Sequence, residues 1–232
     1  MLGIPKLKRC VISDTIETMM RLDHVSYACG PEGLDATVAR ISGTLGIDRV
    51  KGGVHPRFGT RNAIFPMAKN QYLEVVEVLE HPAAEKAPFG QAVRARSEMG
   101  GGWMGWAVAV DDLAPFEQRL ERAAVPGNRK FPDGQELTWR QIGIRGLIAD
   151  PQVPYMLQWD DGMEELHPSR ASEPQAEIRK IVIAGARPRV REWLGLHDDE
   201  RVEDLEVEYV SPSGNPGIMA VTFNTPLGEI VL

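Results

Sequence analysis

Apolar residues recur along this chain in two rhythms, one of strands and one of helices. Residues 22–28 (LDHVSYA) form a short apolar run with a single histidine at its centre, the pattern of a strand. After the turn at residues 30–33, Leu34, Val38, Ile41 and Leu45 fall at helical spacing and predict one buried face, with Gly46 at its C-terminal end. Residues 48–53 and 63–66 read as short strands. Residues 68–70 then turn the chain into 71–78 (QYLEVVEV), a strand with an embedded carboxylate. The stretch 81–96 is partly helical in pattern, and the glycines at 100–102 break it.

The same order then repeats. Residues 103–110 (WMGWAVAV) predict a strand, and 112–124 a helix burying Leu113, Phe116, Leu120 and Ala123. Pro126-Gly127-Asn128 reads as its stop. Residues 136–144 alternate as a strand does, and 154–159 form another. A third copy follows, with a strand at 178–184, a helix at 187–196 and strands at 202–210, 218–223 and 229–232. The predicted class is therefore α+β, with two βαβββ modules, 21–99 and 100–160, paired into a cupped mixed sheet. Residues 177–232 form a third βαβββ-like unit, and 161–176, rich in Asp, Glu, Ser and Pro, has the composition of a linker. Residues 1–20 read as an N-terminal extension outside the fold, with a second candidate start near Met20.

Side chains alternate between the faces of a strand. On that parity Leu22, His24 and Ser26 share one face, while Val25 and Tyr27 share the other with the helix. In the second module Trp103, Gly105, Ala107 and Ala109 take the His24-type face, and their small side chains predict space in the cup, a pocket for a small molecule.

Composition narrows the function classes. The 232 residues are 43% hydrophobic and 25% charged, ordinary for a globular protein, and the net charge is −7. That balance, with only short basic stretches, argues against nucleic acid as a partner. No apolar run approaches the ~20 residues of a membrane span, so no membrane partner is expected, and no signal peptide is evident. Two cysteines without metal-knuckle spacing fit a reducing compartment, and a cytoplasmic location is expected. No nucleophile elbow, P-loop or dinucleotide fingerprint is present.

In the order and spacing of LDHVSYA, HPRFGTRN, QYLEVVEV, WMGWAVAVDDL and DPQVPYMLQW, residues 20–160 resemble the vicinal oxygen chelate superfamily, in its glyoxalase-like branch. The resemblance implies a site built from the first and last strands of each module, where His, Glu or Gln hold a divalent metal that chelates vicinal oxygens. Carried over residue by residue, it implies His24 and Glu74 as metal ligands and catalytic residues, with Mn, Fe, Co, Ni or Zn the metals that suit them. The second module departs from the pattern, since Gly105 cannot ligate and only Gln158 lies near the last-strand position. His55 is a candidate third ligand, on a loop able to fold over the cup. His55, Arg57, Arg61 and Asn62 on the polar loop, Trp103 as a wall, and Gln158 are expected to contact the ligand.

The implied function is a small-molecule enzyme, an isomerase, lyase or dioxygenase acting on a carbonyl or vicinal-oxygen substrate. In it His24 and Glu74 either hold a metal or act as base and acid without one. Two other readings stay open: a metal-free protein that sequesters a small ligand, and a degenerate structural module. Modules of this fold pair within or between chains, so a homodimer is also compatible.

Overall fold

The computed structural model describes residues 20–131, 133–197, 200–210 and 215–232. The expected extension at 1–20 lies outside the described residues except for Met20, which opens the first strand. Module one runs β1 (Met20–Ala28), α1 (Gly33–Leu45), β2 (Val50–His55), β3 (Thr60–Met67) and β4 (Gln71–Val78). Two helices, α2 (Pro82–Lys86) and α3 (Pro88–Glu98), lead to module two. Its elements are β5 (Gly102–Val110), α4 (Ala114–Leu120), β6 (Val125–Lys130), β7 (Glu136–Ile142), α5 (Gly146–Ala149) and β8 (Tyr155–Trp159). The third unit is β9 (Glu177–Ala184), α6 (Arg187–Leu194), β10 (Glu206–Val210), β11 (Gly217–Thr225) and β12 (Gly228–Val231).

The paired modules close into an eight-stranded mixed barrel in the order β1-β4-β3-β2-β6-β7-β8-β5. Within each module the first and last strands run parallel, β1 with β4 and β5 with β8. The modules join through the antiparallel β1–β5 pair on one side and the bridge Val54–Lys130 on the other. The cup predicted from the repeat is thus closed all round, which leaves the barrel no free edge.

Two cores result. One lies outside the barrel, where Val38, Ile41 and Leu45 of α1, Leu113 and Phe116 pack with Val25, Trp106 and Val108 and with the third unit's Ile181, Ile183 and Phe223. Each such side chain, fully buried, contributes about 1.5–3 kcal/mol. The third unit forms its own sheet, β10-β9-β11-β12, but has no separate core, and the Trp193 indole donates to Pro154 O at 2.6 Å. The second core fills the barrel, with Phe89 and Val93 of α3 and Leu147 of α5 entering from the ends.

Two bulges change the parity read from sequence. Leu22 pairs with Val108 and His24 with Ala107, so Asp23 is the extra residue on β1. Leu22 therefore joins the outer core, and Asp23 and His24 both turn inward, not the Leu22–His24–Ser26 face expected. On β5 the register slips between Ser26–Gly105 and Tyr27–Trp103, leaving Met104 as the extra residue. Trp103, expected as a wall of the cup, faces out instead, stacked with Phe223 and donating to Leu232 O at 3.0 Å. The space left by Gly105 is also taken: a Cβ there would lie 2.3 Å from the Leu147 side chain.

Candidate active site

The barrel interior holds a cavity of about 30 Å³ lined by His24, His55, Asn62, Tyr72, Glu74 and Tyr155, with Arg129 and Gln141 among the second module's contributions. Phe58, Phe89, Leu137, Trp139 and Trp159 supply its apolar wall.

The bulge on β1 makes the first arrangement. Asp23 is fully buried, and its Oδ1 lies 2.6 Å from His24 Nδ1. The Trp159 indole donates to Oδ2 at 2.9 Å, and His167 Nε2 lies 3.2 Å from the same atom. The His167 tautomer follows from its other side. The Ser169 backbone N–H donates to Nδ1, so the ring proton sits on Nε2 and is donated to Asp23. Burial alone would raise the Asp23 pKa, but the hydrogen bonds from His167 and His24 hold it well below the usual carboxylate range. A deprotonated Asp23 accepts a hydrogen bond from His24 Nδ1–H, which leaves His24 Nε2 as the acceptor facing the Tyr155 hydroxyl at 2.5 Å. The His24 ring stacks on Tyr72 with centroids 4.4 Å apart. Burial pushes the pKa of both Tyr72 and Tyr155 upward, so both remain hydroxyl donors.

Beside it lies a second network. Ser26 Oγ donates to Glu74 Oε2 at 2.9 Å, and Asn62 Nδ2 donates to Glu74 Oε1 at 2.8 Å. The Asn62 amide is oriented by the Gly53 N–H, which donates to its Oδ1 at 2.9 Å. Its Nδ2 also lies 3.3 Å from His55 Nε2, so that nitrogen is the acceptor and Nδ1–H donates to Thr60 Oγ1 at 2.9 Å. Burial, reinforced by Arg129 and His24 and opposed by Glu74, lowers the His55 pKa to about 4, and His55 is neutral at pH 7.

Compared with known proteins, residues 22–196 match the model of a family described as the glyoxalase-like domain. The chain belongs to the glyoxalase-like domain family. Its fold is that of the vicinal oxygen chelate superfamily, as the strand motifs implied. A hypothetical protein of Staphylococcus aureus superposes with a TM-score of 0.63 at 14% identity, over 89% of this chain and 92% of that one, and shares the fold. A methylmalonyl-CoA epimerase of Mycobacterium tuberculosis gives a TM-score of 0.39 at 16% identity, over 60% of this chain and 86% of that one. That score is too low to carry an argument. Among curated sequences, a mitochondrial translation factor GUF1 of Zygosaccharomyces rouxii is 31% identical over 103 residues, 39% of this chain. The chain spans 16% of that protein's length.

The glyoxalase-like pattern of ligands can be tested on the side chains present. His24 and Glu74 do line the cavity, but both ring nitrogens of His24 and both oxygens of Glu74 are already engaged. Module two supplies Ala107, Tyr155 and Leu157 on the inward positions of its first and last strands, none of them an ordinary ligand for these metals. Among the described residues no three His, Cys, Asp or Glu side chains are grouped to hold a metal. This donor set does not fit the superfamily's metal centre.

The remaining candidates separate cleanly. His55 and Asn62 reach the cavity. Arg61 instead pairs with Glu77 on the outer surface, and Arg57 is exposed in the turn after β2. Gln158 follows the inward Leu157 and so faces the other way, where its Oε1 accepts from Leu113 N at the start of α4. Sequence reasoning missed Asp23, hidden by the bulge, and Arg129 and Gln141 on strands of module two. It missed His167 and Pro168 as well, because 161–176 reads as linker. That segment carries two short 3-10 turns, Glu164–Leu166 and Pro168–Arg170, which bring His167 onto Asp23 and Pro168 to the cavity wall.

Proposed function

We propose that the barrel interior is the active site of a small-molecule enzyme that transfers a proton at a carbon next to a carbonyl, without a metal. Of the isomerase, lyase and dioxygenase chemistries that the family resemblance implies, proton transfer is the one this residue set can perform unaided. The observation that carries the reading is the buried Asp23–His24–Tyr155 chain. Asp23 fixes the His24 tautomer and stabilises the imidazolium once His24 Nε2 takes a proton from the substrate carbon. Protonated Nε2 then donates to the Tyr155 oxygen, which frees the Tyr155 proton to turn toward the developing enolate oxygen. Glu74, held by Ser26 and Asn62, lies on the wall of the same cavity. The buried, free Cys29 thiol fits a reducing cytoplasm, where we place the reaction.

The test is deuterium uptake at the α-carbon of short carbonyl compounds, followed by NMR on chelator-washed protein. Exchange is expected without metal, falling about 10²–10⁴-fold in His24→Gln and by a large part of that in Asp23→Asn. Exchange that appears only after adding Mn, Fe, Co, Ni or Zn, or that survives in His24→Gln, overturns the reading.

The aromatic wall of Phe58, Phe89, Trp139 and Trp159 favours a second reading, a protein that sequesters an apolar ligand. Tight binding in wild type and His24→Gln alike, with no exchange in either, would establish it.

A further inference from the structure

The donors and acceptors of the cavity do not balance. Its acceptors are taken: Asp23 by His24, His167 and Trp159, and Glu74 by Ser26 and Asn62. Two of its nitrogen donors are left over. Arg129 is 3% exposed, and its Nε has no hydrogen-bond partner among the described residues. Gln141 is 2% exposed, its Nε2 is likewise unpartnered, and both side chains line the cavity. The Gln141 amide cannot be reversed, because its Oε1 accepts the Trp139 indole N–H at 2.9 Å.

Arg129 is also built into place. Its stem crosses β2 where a Cβ on Gly53 would lie 2.9 Å from Cγ, and its guanidinium sits 4.3 Å from the centre of the Phe131 ring. The cross-strand partner of Arg129 is Leu137, an inward residue of the cavity wall. A guanidinium stays charged in proteins; the Glu74 carboxylate favours the Arg129 charge from beyond hydrogen-bond reach, and burying a guanidinium without a directly paired counter-ion is unfavourable to folding. Donors so placed are completed by a bound ligand or by ordered water that a ligand displaces.

We infer that the ligand carries a carboxylate, bound by Arg129 and Gln141, on a small apolar body held against Leu137, Leu157 and the aromatic wall. This deepens the proposed proton transfer, in that it names the substrate as a carboxylate-bearing carbonyl compound. A carboxylate is an acceptor that both a guanidinium and an amide N–H can satisfy, and arginine is the side chain suited to that planar group.

The test uses the full chain and matched probes of a size suited to the small cavity, acetate against acetamide and propanoate against propanamide, read by quenching of tryptophan fluorescence and by calorimetry. In at least one pair the carboxylate is expected to bind about ten- to hundredfold more tightly than the amide. That preference is expected to vanish in Arg129→Met with amide affinity unchanged, to shrink in Gln141→Leu, and to return in part in Arg129→Lys. Arg129→Met is also expected to melt at a higher temperature than wild type, since it removes an unpaired buried charge, which a purely structural arginine would not do. Equal binding of acid and amide overturns the inference, as does no binding of any probe at millimolar concentration or a preference that persists in Arg129→Met. If Arg129→Met does not fold, Gln141→Leu and Arg129→Lys decide the matter. His24→Gln separates this from the proton-transfer reading: it should keep the carboxylate preference while losing exchange.

Discussion

His55 is enclosed by Thr60, Asn62, Phe58, Phe89 and Trp139, and the Glu74 carboxylate 3.9 Å from its Nε2 is the neighbour that favours an imidazolium. The His55 pKa falls from the ordinary 6.5 to about 4, through burial first, opposed by Glu74 and reinforced by the Arg129 charge. Between those values the unfolded chain binds a proton that the folded chain refuses. The His55 contribution is therefore complete above pH 6.5 and is lost as pH falls toward 4. Urea midpoints at pH 7 and pH 4 should show wild type losing about 3 kcal/mol more than His55→Gln over that interval; parallel losses would mean His55 is not buried neutral. At this scale His24 and Glu74 stood out in the sequence as polar groups inside apolar strand runs, whereas His55 and Asn62 were picked from a polar loop and lie instead at the end of β2 and on β3. Asp23 was equally visible in LDHVSYA, yet strict alternation sends it to the helix side. One extra residue in β1 reverses that, and no local signal in the run announces the bulge.

The element that sequence reading lost is β6. Pro126-Gly127-Asn128 has the chemistry of a turn, and a helix was expected to stop there. The helix ends earlier, with Glu121 in the left-handed conformation, and Pro-Gly-Asn lies inside a strand. The glycine is there for a neighbour: a Cβ on Gly127 would fall 2.3 Å from Trp139 Cε2, because the indole lies across it. Gly127→Ala should therefore push Trp139 off its place, destabilise the protein by about 1–3 kcal/mol and weaken ligand quenching of Trp fluorescence. A melting curve with a ligand titration checks both, and an unchanged melting temperature would show that the indole can step aside. With β6 read as a turn, Arg129 had no face to point from, and so the cation of the site went unseen. The helix α1 was easier, since its buried face and the left-handed Gly46 that ends it are periodic, local signals, while α6 was expected to reach residue 196 and stops instead at the left-handed Gly195.

Across the molecule, the threefold repeat of βαβββ order was legible because it is written in element spacing, but its closure into a barrel and the sharing of one core were not. The third unit contributes Ile178, Ile181, Ile183, Val190, Trp193 and Phe223 to the cluster that buries the outer face of β1 and β5. It should not separate as a domain. Urea unfolding followed by far-UV circular dichroism and by tryptophan fluorescence is expected to give coincident single transitions, and a chain ending at residue 176 is expected to bind hydrophobic dyes and aggregate. Two resolved transitions, or a well-behaved truncated barrel, would show instead that the third unit is an appendage.

The two halves of the barrel share a fold and differ in cargo. The first module supplies the carboxylates and histidines of the cavity, Asp23, His24, His55 and Glu74, while the second supplies most of the wall together with Arg129, Gln141 and Tyr155. On the proposed mechanism, substitutions that reshape Leu137 or Trp139 on β7 can thus alter which molecule is accepted without passing through β1 or β8, which carry His24 and Tyr155. In evolutionary terms β7 lets selectivity drift toward new compounds while the chemistry of its neighbours is inherited intact.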